Sequence, residues 1–404
     1  MFSQAIFGTS WLDSTSSSSV INKTHAFLAT AGFSNPTWTH SAGGNALCIS
    51  GTISVSASAT NTKILWSGPA NNFELTEWLT DFMRLDSTLF ARMLGGDQVI
   101  SDTFPIFGKL CGPATSNSTA PPDTVQILTH GGTLDSSYWD FTQNYSYIDY
   151  AASQNQYTFS YDRLGSGLSS RPDALQTVQI PLQTEILHIL ISHLRTGVFS
   201  SLPFKRVIGV GHSLGSALTQ SLASKYAEDL DALILMGHSN FHAGSGVFFA
   251  GLAQQIARTV AGTGERFAAL GNGYMTFPRL AQCAQWQGFV WPYFEESVFE
   301  KLLDTYGANA IGETLTLIPT YVPVPAFTGP VLVLNGRQDG FYCQGNCLAQ
   351  GRNIAAETLS AFFPNAGTGS KAVVVENRGH SINLHLGAIE VFEEMVEWVE
   401  GLDG

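Results

Sequence analysis

Charge is what this sequence has least of. Asp, Glu, Lys and Arg together make up 13% of its 404 residues, and 19 basic against 32 acidic side chains leave a net charge of −13. Nucleic acid and anionic membrane surfaces both demand clustered Lys and Arg, so this balance argues against either as a partner. No apolar run approaches the roughly 18 residues a transmembrane helix needs, and stable membrane insertion is not expected. Met1-Phe2-Ser3-Gln4 lacks a basic n-region and no long apolar stretch follows, so no signal peptide is read there. There is no C-x-x-C pair and no H-E-x-x-H. His238 and His242 stand four apart, but no third ligand accompanies them, and neither a metal nor a cofactor is implied.

What is present is a globular composition, 44% hydrophobic, long enough for one large α/β domain with insertions. Three N-x-S/T sequons, at Asn22, Asn117 and Asn144, and a Ser/Thr-rich start nearly free of charge point to a secreted protein. That fits a mature form whose leader was removed and a methionine restored; a cytoplasmic location is the competing expectation. Of five cysteines, Cys343 and Cys347 are close enough in sequence to close a small disulfide loop. Cys48 and Cys111 form a second possible pair, which leaves Cys283 free.

Residues 1–98 read as an N-terminal extension. Within it Ile53-Ser54-Val55-Ser56 alternates like a strand, and Asn72 to Leu94 has helical spacing on one apolar face that packs on the core. From 99 to 237 and again from 329 to 404 the pattern is an α/β core. Strands at Val125–Thr129, Tyr157–Tyr161, Val207–Val210, Ala232–Met236, Val331–Leu334 and Ala372–Val375 alternate with helical segments, which implies a mostly parallel twisted sheet with helices on both faces. Between 238 and 328 the alternation stops. That stretch is helical in flavour and rich in aromatics, and it reads as an inserted lid over an apolar pocket.

The chemistry is organised around Gly211-His212-Ser213-Leu214-Gly215. It follows a β-branched strand and opens a helical pattern, the context of a nucleophile elbow. In a chain where glycine and serine are each about a tenth of the residues, roughly 0.4 accidental matches to G-x-S-x-G are expected, so context must carry the motif. Gly237-His238-Ser239-Asn240-Phe241 echoes it without the second glycine. A serine hydroxyl needs a base, and the base needs a carboxylate to hold its tautomer. Functional residues of a parallel sheet collect where strands end. Asp339 follows the Val331 strand and His380 follows the Ala372 strand, in the order Ser, Asp, His expected for this kind of triad. Glu376 is the reserve acid. His212 adjoins the serine and should point away from it, while His188 and His193 share one helix. Two oxyanion donors are expected: the N–H of Leu214, and one from the turn His130-Gly131-Gly132-Thr133, with Gly132 favoured over Thr133.

HGGTLDSSYWD, YDRLGSGLSSRPD, GHSLGS, GRQDGFYCQGNC and GHSINLH together resemble the α/β-hydrolase superfamily, in its lid-bearing branch of esterases and lactonases, many of them secreted fungal enzymes. The likeness runs from about Val99 to the C-terminus. It implies Ser213 as nucleophile, His380 as general base then acid, Asp339 as orienting acid, and structural roles for Asp162 and Arg163. A serine in place of the aspartate nucleophile argues against the epoxide-hydrolase and dehalogenase relatives. The function implied is cleavage of a small hydrophobic ester or lactone, polyketide-like compounds included, through an acyl-enzyme. Acyl transfer or cyclisation in secondary metabolism, and a non-catalytic hydrophobic-ligand binder, are the alternatives. Thr133 and His212, with His238, Trp286 and Trp291 of the insertion, are the candidate substrate contacts.

Overall fold

The computed structural model describes residues 24–115, 122–263 and 265–402. Its strands, in chain order, are β1 (Ser34–His40), β2 (Ala46–Ile64), β3 (Leu94–Pro113), β4 (Thr124–Thr129), β5 (Tyr157–Tyr161), β6 (Arg206–His212), β7 (Ala232–Met236), β8 (Gln255–Ile256), β9 (Tyr274–Thr276), β10 (Asn309–Ala310), β11 (Val331–Gly336) and β12 (Lys371–Val375). Nine of them form one sheet in the order β1-β2-β3-β5-β4-β6-β7-β11-β12. Neighbours from β5 to β12 run parallel, and the β1–β2–β3 edge is antiparallel. The parallel strands β5, β7 and β11 are buried along their whole length, as sheets covered on both faces require, which accounts for the apolar runs Ala232–Met236 and Val331–Leu334.

The N-terminal part is more integral than an extension. The 19-residue β2 pairs with β3 from Ala46 opposite Pro113 to Ile64 opposite Leu94, and Cys48 faces Cys111 across the ladder and is disulfide-bonded to it. Ile53, Val55, Ala57 and Ala59 turn inward while Ser54, Ser56, Ser58 and Thr60 face out. The core therefore begins well before Val99. The expected long helix is two shorter ones, Asn72–Met83 and Leu89–Met93, because β3 starts at Leu94.

Residues 238–328 are an insertion of mixed structure. Helices Ser245–Leu252, Ala281–Gly288, Glu296–Thr305 and Ile311–Leu317 are joined by a small antiparallel sheet, β10-β9-β8. The wholly helical segment expected from the sequence is corrected by these short strands, too brief to show a periodicity of two. Among the described residues, no helix is long and apolar enough to cross a membrane.

The chain passes from β4 outward to β5, then returns to the other side of β4 as β6. This reversal opens a crevice at the carboxyl ends of β4 and β6, the place where parallel sheets present their functional loops.

Candidate active site

At the end of β6 the chain turns through Ser213, whose backbone lies at φ 55°, ψ −119°, and enters the helix Leu214–Lys225. A non-glycine residue in that region costs on the order of 1–3 kcal/mol. The turn is held to β7 by Ser213 N–H and Ser216 Oγ–H, which both donate to the Met236 carbonyl, at 2.8 and 2.9 Å. Its tightness dictates the glycines. A Cβ on Gly215 would lie 2.1 Å from the Thr129 carbonyl oxygen, and one on Gly211 would lie 2.5 Å from Ser216 Cα.

The structure brings Ser213, His380 and Asp339 together. His380 Nδ1 lies 2.7 Å from Asp339 Oδ2, and its Nε2 lies 2.7 Å from Ser213 Oγ. The carboxylate can only accept, so Nδ1 carries the proton and Nε2 offers its lone pair to the serine hydroxyl. Asp339 is fully buried, and its other oxygen accepts from the Tyr342 N–H at 2.9 Å. The Cys343–Cys347 disulfide closes the same loop, and Cys347 N–H returns to the Arg337 carbonyl. Glu376, the reserve acid, is spent on Arg337 at 2.6 Å.

Two further histidines brace the triad. His212 does point away from the serine hydroxyl, but toward a use: its Nε2–H donates to the His380 carbonyl at 2.8 Å, and its ring stacks on Tyr138. Burial, reinforced by the neighbouring His380 imidazole, depresses its pKa to about 3, so it is a neutral strut. His385 accepts from the Gly379 and Val290 N–H groups at Nε2 and donates to the Ser381 carbonyl, fixing the loop that presents His380.

The turn after β4 lies against the elbow, since a Cβ on Gly131 would sit 3.1 Å from Ser213 Cβ. Arg163, entirely buried, donates Nε–H to the His130 carbonyl at 3.1 Å and Nη2–H to the Gly131 carbonyl at 3.3 Å, and pairs with Glu313 and Gln183. Gripping those two carbonyls fixes the orientation of the peptide planes around Gly132. The Leu214 N–H is in the first turn of its helix, where no intrahelical acceptor exists. Thr133 is different: its N–H donates to Asn309 Oδ1 at 2.7 Å. The Thr133 N–H, one of the two expected candidates for the second oxyanion donor, is thus engaged within the protein.

Gly132, Leu214, Ser213, His212 and His380 line a cavity of about 70 Å³. A second, apolar chamber of about 370 Å³ shares Phe249, Thr314, Leu317, Tyr321 and Phe341 with it and extends to Phe82 and Phe362. On its other side His380 borders a chamber of about 490 Å³ lined by Trp286, Phe289 and the polar side chains of Gln282, Gln285, Gln338 and Gln344.

Three expected substrate contacts lie elsewhere. His238 is wholly buried, donates Nε2–H to Gln220 Oε1 at 2.5 Å and is absent from the Ser213 cavity wall. Trp291 is 62% exposed and packs on Phe294. Trp286 borders the glutamine-lined chamber, not the cavity at the serine, and its indole N–H donates to the Val247 carbonyl. Aromatic content was readable; the direction in which each ring points was not. Asn309, Glu313 and Gln183 have partners remote in sequence, and His385 meets Gly379 and Ser381 nearby but Val290 95 positions away. Only a shared position beside the triad identifies them. Among the described residues, no group of three His, Cys, Asp or Glu side chains could hold a metal ion.

The crossover sheet, the strained serine turn and its partners are those of an α/β hydrolase. Residues 126–392, two-thirds of the chain, match the alpha/beta hydrolase family, and the chain belongs to it. It is similar in structure to a thermophilic esterase from Thermogutta terrifontis, with 17% identity, coverage of 74% of this chain and 94% of that one, and a TM-score of 0.49. A monoglyceride lipase variant from Saccharomyces cerevisiae is 12% identical over 74% and 92% of the two chains, with a TM-score of 0.48. An epoxide hydrolase from Vigna radiata is 15% identical over 74% and 95%, also at 0.48. No curated protein matches the sequence.

Proposed function

We propose that the protein is a serine hydrolase that cleaves a hydrophobic ester or lactone through an acyl-enzyme. The observation that carries this is the continuous relay from Asp339 through His380 to Ser213, at 2.7 Å per step. In the proposed reaction the Ser213 hydroxyl loses its proton to His380 Nε2 as its oxygen attacks the carbonyl carbon. Asp339 stabilises the resulting imidazolium, and the N–H groups of Gly132 and Leu214 receive the oxyanion. His380 then protonates the departing alkoxide; it next takes a proton from a water whose oxygen attacks the acyl carbon, and returns that proton to Ser213 Oγ as the acyl–Oγ bond breaks and the acid leaves.

The substrate class follows from the shape of the site. About 70 Å³ at Ser213 accommodates little more than the reacting group, whereas the adjoining 370 Å³ of aromatic and aliphatic wall suits an apolar acyl or ring system. The glutamine-lined chamber behind His380 supplies a polar approach for water. An alcohol acceptor entering by the same path would turn hydrolysis into acyl transfer. Labelling with a fluorophosphonate and locating the adduct, then assaying activated esters of graded acyl length and lactones, tests the reading. A Ser213 adduct and free acid as product are expected; an unmodified Ser213 in folded protein sinks it, and an ester product replaces hydrolysis by transfer. Residence outside the cell is part of the same proposal, supported by the two disulfides and by the exposed Asn144 on a positive-φ turn. Asn22 and Asn117 lie outside the described residues.

A further inference from the structure

Asn309 sits on β10, in the insertion, 176 positions from the turn it touches. Its Oδ1 accepts the Thr133 N–H at 2.7 Å, and the Gly307 N–H donates to the Thr133 carbonyl at 2.7 Å, so the insertion holds both backbone groups of that residue. The first of these contacts fixes which end of the amide is which. A flipped amide would set two donors against each other, so oxygen must face Thr133 and the NH2 group must face the other way. That way is the cavity: Asn309 forms part of its wall together with Ser213, Gly132 and Leu214. A Cβ built on Gly132 would lie 2.9 Å from Asn309 Nδ2, which puts the amide beside the backbone expected to bind the oxyanion. Among the described residues, no protein acceptor takes a hydrogen bond from this nitrogen. It is a donor held in place by the opposite end of its own amide.

We propose that Asn309 is a third donor to the substrate carbonyl oxygen, its Nδ2–H acting with the Gly132 and Leu214 N–H groups as negative charge develops there. The inference rests on the serine-hydrolase reading and deepens it. The same side chain removes the Thr133 N–H from competition and supplies its own in exchange. It also makes the oxyanion site a joint product of the sheet and the insertion, complete only when β10 is docked on the turn after β4.

The donor and the structural roles use opposite ends of one amide, and this makes them separable. Asn309→Asp keeps an oxygen for Thr133 but removes the donor and turns a carboxylate toward the developing oxyanion. Asn309→Ala removes both ends. With the full chain, a p-nitrophenyl ester of medium acyl length and a fluorophosphonate probe, both variants should lose on the order of 100-fold in kcat. KM should stay within about threefold, and Ser213 phosphonylation should slow in parallel, because the probe's phosphoryl oxygen occupies the same position. Asn309→Asp should melt close to the parent temperature, since its bond to Thr133 survives. A wild-type chain that is labelled at Ser213, with Asn309→Asp at full kcat and only Asn309→Ala impaired, overturns the donor role and leaves a structural one. A wild-type chain not labelled at Ser213 overturns the serine-hydrolase reading itself, and the Asn309 assignment with it.

Discussion

Two neighbouring strands of the sheet end in the same tripeptide. β6 runs into Gly211-His212-Ser213 and β7 into Gly237-His238-Ser239, yet the two serines have nothing in common chemically. Ser213 takes up φ 55° and is followed at once by a helix, with Gly215 letting that helix come against the Thr129 and His130 carbonyls. After β7 the positive φ falls on Gly237 instead, at 51°, and the chain leaves for the insertion. Ser239 is completely buried and its hydroxyl accepts the Phe241 N–H at 2.8 Å, so its oxygen caps a turn. Ser213 Oγ faces a cavity and a histidine. The difference is made by the residue two places after the serine: glycine at 215, phenylalanine at 241. It decides whether a helix can start there and therefore whether the serine is thrust out of the sheet.

The comparison breaks most visibly by deletion of each hydroxyl. Ser213→Ala should cost roughly 10^4-fold or more in kcat with folding intact. Ser239→Ala should leave turnover within about twofold and lower stability by about 1–2 kcal/mol, because the Phe241 N–H loses its acceptor. Ester assays beside urea titrations check both, and comparable activity losses would show that the second motif is not inert. Next in size is Gly215→Ala. Its methyl would meet backbone oxygens at 2.1 and 2.6 Å that cannot swing aside. The helix must retreat, carrying the Leu214 N–H with it, and on the order of 100-fold in kcat should go, with a few kcal/mol of stability.

The same contrast explains what could be read in advance. The parallel strands of the large sheet were legible because most are buried on both faces and so appear as short runs rich in apolar, β-branched and aromatic residues. The triad positions were legible because each lies just past such a strand. The β2–β3 pair was legible only in part, at the alternating Ile53–Ser56 and the possible Cys48–Cys111 pair, since Ser, Thr, Gly and Ala dilute the rest of its alternation and two helices separate Ile64 from Leu94. The parts of the site left out of the sequence reading share a physical cause. Arg163 with Glu313, and Thr133 with Asn309, are single hydrogen-bonded meetings across 150 and 176 positions, and no local periodicity encodes them. Direction was the other loss, as Trp291 shows by facing outward from an aromatic-rich insertion.

The smallest effect concerns the histidines, where the two motifs are most alike. Burial is the leading cause that lowers both His212 and His238 to about 3 from an ordinary value near 6.5. Above pH 6.5 both are neutral in the folded and unfolded chain, and their full contribution to stability is present. As pH falls below 6.5 the unfolded chain takes up protons that the folded chain refuses, so stability declines by up to about 1.4 kcal/mol per pH unit for each histidine until pH approaches 3. Replacing either with Gln removes one such proton, so the acid limb of stability against pH should become shallower by a similar amount in both variants. Activity should then separate them. The His238 ring donates to Gln220, away from the triad, so His238→Gln should turn over normally at neutral pH. His212 carries the His380 carbonyl, and His212→Gln should lose about tenfold in kcat through a displaced base. Urea midpoints from pH 4 to 7, read beside kcat at pH 7, give both quantities from the same preparations. Equal slopes with unequal activities would mean that the two elbows differ in what their histidines hold and agree in how they titrate.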